Sequence, residues 1–75
     1  MAIKCKNTDM LLDFVNKKHL DVSISHPTDL QTKVTFSDGL IMNIFNTTGN
    51  VNFQGNSYEN HVASDIVNVI EAINR

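Results

Sequence analysis

Residues 42–75, MNIFNTTGNVNFQGNSYENHVASDIVNVIEAINR, read as a single folding unit and decide the architecture. The segment opens on a strand ending at Phe45, turns through Asn46-Thr47-Thr48-Gly49, and runs out along a second strand to Phe53-Gln54-Gly55. A helix with an aliphatic stripe follows: Val62, Ile66, Val69, Ile70 and Ile73 share one face at 3.6 residues per turn. Asn56 is the expected N-cap, with Glu59 three positions on to complete a capping box. Burying five aliphatic side chains at roughly 1.5–3 kcal/mol each is worth on the order of 10 kcal/mol before entropy, so this face must be covered.

The preceding residues supply the cover. Ala2 to Lys6 form a short first strand with Ile3 and Cys5 on one side. Thr8 is placed to cap a helix over 9–18, with Asp9 and Asp13 early and Lys17, Lys18 and His19 late, as the helix dipole favours. Leu11, Phe14 and Val15 line its inner face. Residues 20–25 alternate as a half-buried strand, and 26–29 are expected to leave regular structure because Pro27 has no amide donor. Two strands, 30–36 and 40–45, flank Ser37-Asp38-Gly39, whose Asp-Gly pair points to a two-residue type I′ hairpin.

The expected fold is therefore α+β, in the order β-α-β-β-β-β-α, with a curved antiparallel sheet carrying both helices on one face. Strand alternation places Val22, Ile24, Val34, Phe36, Met42, Ile44, Val51 and Phe53 beneath the helices. The opposite face then carries Ser23, Ser25, Lys33, Thr35, Ile41, Asn43, Phe45, Asn52 and Gln54, with no further element in the chain to cover Phe45 and Ile41. An uncovered aromatic among amides and hydroxyls marks a binding face.

Seventy-five residues, 41% apolar and 19% charged, make one globular domain, residues 1–75. No apolar run approaches a membrane span or a signal peptide, and the lone Cys5 suits a reducing compartment, so a cytoplasmic location is expected. The net charge of −2 weakens, without removing, the case for nucleic acid. Ten asparagines and a single arginine are what A/T-rich coding produces, as in a low-GC bacterium or its phage.

His19, His26, His61 and Cys5 have no metal-ligand spacing, no nucleophile elbow or P-loop occurs, and Asp9 and Asp13 have dipole reasons for their positions. Neither an enzyme nor a cofactor is expected.

The element order, the Pro27-x-x-Leu30 lead-in to the second hairpin, and the run Ile44-Phe45-Asn46-Thr47-Thr48-Gly49 through Gly55 resemble one repeat of the TATA-box-binding-protein fold. That half-saddle is also found in the amino-terminal domain of ribonuclease HIII and in the RNase LS type of toxin. The resemblance implies a concave sheet that binds nucleic acid, with Phe45 at one wedge position, Leu30 in place of the other, and Asn43, Asn52 and Thr35 suited to hydrogen bonding. The family's eukaryotic members duplicate the repeat and carry basic residues beside the wedges, whereas this chain has one copy and Lys33.

Two readings follow. The leading one is a small non-enzymatic protein, of phage or mobile-element origin, that docks on another protein, such as a host nuclease or toxin, and modulates or inhibits it. The alternative is an RNA- or DNA-binding module using the same face. Both draw on Phe45, Ile41, Asn43, Lys33, Thr35, Asn52, Gln54 and Leu30. Pairing of the first strand, or of another sheet edge, with a second copy makes a homodimer the expected assembly.

Overall fold

The computed structural model of the protein describes residues 2–19, 21–55 and 60–75. The chain runs β1 (Ala2–Lys4), α1 (Thr8–Lys18), β2 (Ser23–Thr28), β3 (Gln31–Thr35), β4 (Leu40–Phe45), β5 (Asn50–Gly55) and α2 (His61–Ile73). All strand pairs are antiparallel in one sheet of order β1-β5-β4-β3-β2, so the first strand crosses to the far side of the last and α1 spans the sheet.

Strand alternation assigns the core. Val34, Met42 and Val51 are fully buried, Ile44, Phe36 and Phe53 nearly so, and they form one cluster with Leu11 and Val15 of α1 and Ala63, Ile66 and Ile70 of α2. Leu40, at the start of β4, joins them at 0% exposure on the same parity. Cys5 packs there too, its thiol donating to the Asn7 carbonyl at 3.4 Å. Thr32 shares that face, buried to 1%, with its hydroxyl 3.4 Å from both His26 Nδ1 and Asn46 Nδ2. Those contacts satisfy a polar group that burial would otherwise penalise.

Both helices start at caps one or more residues away from the expected ones. Asn7, not Thr8, caps α1, its side chain accepting from Met10 N at 3.0 Å. Asn60, not Asn56, caps α2 by accepting from the amides of Val62 and Ala63 at 2.8 and 3.1 Å. The capping box expected from Asn56 and Glu59 lies outside the described residues. The Asn60 amide also donates to Asp38 Oδ2 at 2.9 Å, and Asp38 Oδ1 accepts from Leu40 N at 3.0 Å. These bonds, the one from Asn60 first, hold the Asp38 carboxyl below its ordinary value of 3.8. A hairpin tip is thereby tied to a helix start.

That hairpin differs from the expected type I′ turn. Phe36 N donates to Leu40 O at 2.8 Å, Gly39 N to Phe36 O at 3.2 Å, and Gly39 takes φ 92°. The loop is thus three residues closing on a left-handed glycine, the next commonest solution after the two-residue turns.

The second strand also departs from expectation. β2 begins at Ser23 and continues through His26 and Pro27 to Thr28, with a register shift between Ser25 and Thr28. It is an edge strand, where a missing amide is tolerated and a bulge absorbs the mismatch. Being at the edge, it escapes the helices: Ile24 is 37% exposed, and Val22, just before the strand, is only partly buried against the core.

Candidate binding face of the sheet

The sheet's other face is organised by strand register. One cross-strand row reads Lys4, Asn50, Phe45 and Gln31, and the next reads Asn52, Asn43, Lys33 and Ser25. A third holds Gln54, Ile41, Thr35 and Ser23. None of the five strands contains an aspartate or glutamate, while Lys4 and Lys33 both belong to this face. In a chain of net charge −2, the sheet face is locally cationic.

Asn43 is the hub of this surface. It is 5% exposed, its carbonyl accepts from Gln31 Nε2 at 3.0 Å, and its amide donates to Asn52 Oδ1 at 3.1 Å and Gln54 Oε1 at 2.9 Å. Three strands are thus laced by side-chain amides as well as by backbone. Both donors of Asn43 are engaged inside the sheet, so its work is structural rather than the outward contact expected of it. The network also has a direction: Asn52 and Gln54 accept from Asn43, which leaves their own amino groups to donate outward.

Phe45 is half-buried rather than uncovered. Leu30 is the conspicuous apolar group, 54% exposed in the β2–β3 turn and fixed beside Phe45 by the bond from Asn46 N to Leu30 O at 2.8 Å. Leu30, Phe45, Thr47, Thr48, Asn50 and Asn52 enclose a concavity of about 430 Å³. Ile41, Thr35 and Gln54 lie two rows away from Phe45, with Lys33 on the row between. The candidate residues therefore divide into an apolar concavity that Asn52 also lines, and a polar remainder around Asn43.

A second concavity, about 230 Å³, shares Thr47 and Thr48 with the first and is lined also by Lys4 and Lys6. Sequence reading missed the contribution of Lys4 because it depends on β1 pairing with β5, nearly fifty residues away. Asn74 reinforces this corner. Its side chain accepts from Lys6 N at 2.8 Å and donates to Lys4 O at 2.7 Å, so one amide occupies the edge positions that a neighbouring strand would take. On the outer edge of β1, one of the edges through which the expected homodimer could pair, this clasp takes up the Lys4 carbonyl and the Lys6 amide.

No group of three or more histidine, cysteine, aspartate or glutamate side chains is placed to hold a metal ion among the described residues. Among those residues, too, no helix is long and apolar enough to cross a membrane. Searches of family models, curated proteins and solved structures returned no match to this chain.

Proposed function

We propose that this protein is a non-enzymatic binding module that docks on another protein, and modulates it, through the open face of its sheet. The observation that carries the reading is the concavity between Leu30 and Phe45: an apolar anchor site within a rim of amides and hydroxyls, with Lys4 paired beside Asn50. Buried apolar anchors surrounded by polar groups are the usual anatomy of a protein-docking surface. The absence of carboxylates from the strands matches a partner that presents acidic side chains at the rim. Phage origin and cytoplasmic location belong to the same proposal, as does the half-saddle architecture, which is supported by the element order and by both helices feeding one core.

Comparing the wild-type protein with Leu30→Ser/Phe45→Ser in affinity capture from a nuclease-treated bacterial lysate tests this reading. A protein retained by wild type and lost from the folded variant is the expected result. Equal retention by both would remove the open face from the interaction.

A nucleic-acid partner is the second reading. It is favoured by a specific observation, the pairing of a cationic concavity at Lys4 and Lys6 with the aromatic one at Phe45. Electrophoretic or anisotropy titration with DNA and RNA across salt separates the two readings, since phosphate contacts weaken steeply as salt rises.

A further inference from the structure

The two adjoining concavities differ in chemistry in a way that fits one ligand. The Lys4 side is lined by the two ammonium groups of Lys4 and Lys6, the hydroxyls of Thr8, Thr47 and Thr48 and the amide of Asn46, with no carboxylate among them. Among the described residues Lys4 and Lys6 have no carboxylate partner, the one ion pair being Lys17 with Asp13 at 3.0 Å. Thr48 Oγ1 already accepts from Asn50 N at 3.3 Å, so its hydroxyl proton is left to point outward, and the Thr47 hydroxyl has no partner among the described residues. Asp9, in the first turn of α1, does not line the space.

The walls are also held in place. Cys5 N donates to Gly49 O at 2.7 Å, Gly49 N to Phe45 O at 2.8 Å, and the Asn74 amide grips the backbone of Lys4 and Lys6. Gly49, at φ 78°, lies so close to this strand that a Cβ there would sit 2.5 Å from Cys5 O. The two lysines therefore project from a backbone fixed on both sides, which lowers the ordering cost of gripping an anion. On the other side of Thr47 and Thr48 the space is bounded by Phe45 and Leu30 and lined as well by Asn52, whose carbonyl accepts from Asn43 and whose amino group is not used in that bond.

We propose that the joined concavities bind one nucleotide unit. Its phosphate lies among Lys4, Lys6, Thr47 and Thr48, and its base lies against Phe45 and Leu30 within reach of the Asn52 amino group. The inference rests on the nucleic-acid reading of the open face and makes it specific. Charge complementarity selects the phosphate, because two lysines and neighbouring hydroxyls with no acidic side chain facing them favour a phosphate oxyanion, monoester or diester. The aromatic wall selects the base, because stacking is available to any nucleobase. A free nucleotide and a nucleotide within a strand share this chemistry.

Calorimetric and NMR titrations of the full chain at low salt, with inorganic phosphate, a nucleoside monophosphate and a short single-stranded oligonucleotide, test it. Affinity is expected to rise in that order, and a monophosphate as tight as the oligonucleotide would identify the free nucleotide as the ligand. Lys4→Ala/Lys6→Ala should weaken oligonucleotide binding at least tenfold and flatten its salt dependence, with Lys4→Arg/Lys6→Arg restoring it. Phe45→Ala should weaken nucleotide and oligonucleotide while leaving inorganic phosphate unaffected. A melting curve for each variant separates lost binding from lost fold. If oligonucleotide binds equally well to the wild type and a folded lysine double variant, the inference is overturned and the nucleic-acid reading stands. If phosphate binds but nucleotide binds no tighter, the base site is overturned. If no probe binds, both the inference and the nucleic-acid reading are overturned.

Discussion

Replacing Asn43 with alanine removes the hub of the amide network without disturbing the helix-facing core. Three side-chain hydrogen bonds disappear, to Gln31, Asn52 and Gln54. At about 0.5–1.5 kcal/mol net for each bond, their sum is about 1.5–4.5 kcal/mol. The lower half of that range applies, because Gln54 is exposed and Gln31 and Asn52 are only partly buried, so water re-solvates the partners that are left. A loss of about 2 kcal/mol is expected, equivalent to roughly 8–16 °C in Tm for a domain of this size. Urea titration followed by far-UV circular dichroism provides the assay, with the m-value expected to stay at the wild-type level because the core is unchanged. A folded Asn43→Ala variant within about 0.5 kcal/mol of wild type, the usual range for surface substitutions, would refute the structural role assigned to this residue. If such a variant had also lost partner binding, Asn43 would return to the list of outward contacts.

Three further outcomes follow from the same geometry. Gly49→Ala should destabilise by at least about 1 kcal/mol, since it combines a left-handed backbone with a close approach to Cys5 O; thermal melting reads it, and a neutral effect would contradict the packing of the 46–49 turn against β1. Asn74→Ala should accelerate hydrogen exchange at the Lys6 amide at least tenfold while leaving the β4 amides unchanged, and equal rates at Lys6 would show that the edge clasp does not form in solution. The third concerns acid. Because the Asp38 carboxyl titrates below its ordinary 3.8 in the folded protein, its contribution is complete above that value and is lost as pH falls through the lower, folded one. Asp38→Asn should therefore narrow its stability deficit relative to wild type as pH drops below about 4, and a deficit constant across pH 3–7 would contradict the tie to Asn60.

The sheet's two faces were legible in the sequence because strand side chains alternate with a period of two. Val34, Phe36, Met42, Ile44, Val51 and Phe53 fall where that period puts them. Features that depend on competition between local signals were less legible. Asn56 with Glu59 offers a capping box and Asn60 does not, yet Asn60 caps the helix beginning at His61 and meets Asp38 from a distant hairpin. Pro27 reads as a break, but an edge strand has one side without ladder bonds, so β2 continues through it. Thr32 lies on the core parity and stays buried because His26 and Asn46 reach it from neighbouring segments. The candidate face was only half visible. Phe45, Asn52 and Leu30 could be named from the sequence, whereas Lys4, Lys6 and Asn74 come together through contacts between the two ends of the chain.

Ile44 and Phe45 are consecutive residues on opposite faces of β4, the first 1% exposed beneath the helices and the second half-buried on the open side. Parallel denaturation of Ile44→Ser and Phe45→Ser therefore tests the assignment of faces most directly. Ile44→Ser places a hydroxyl and a cavity in the core and should cost at least about 3 kcal/mol, enough to leave much of the chain unfolded at 37 °C. Phe45→Ser should cost clearly less and leave a cooperative fold. The reverse order, with Phe45→Ser unfolded and Ile44→Ser tolerated, would turn the sheet over and contradict every role assigned here to its open face.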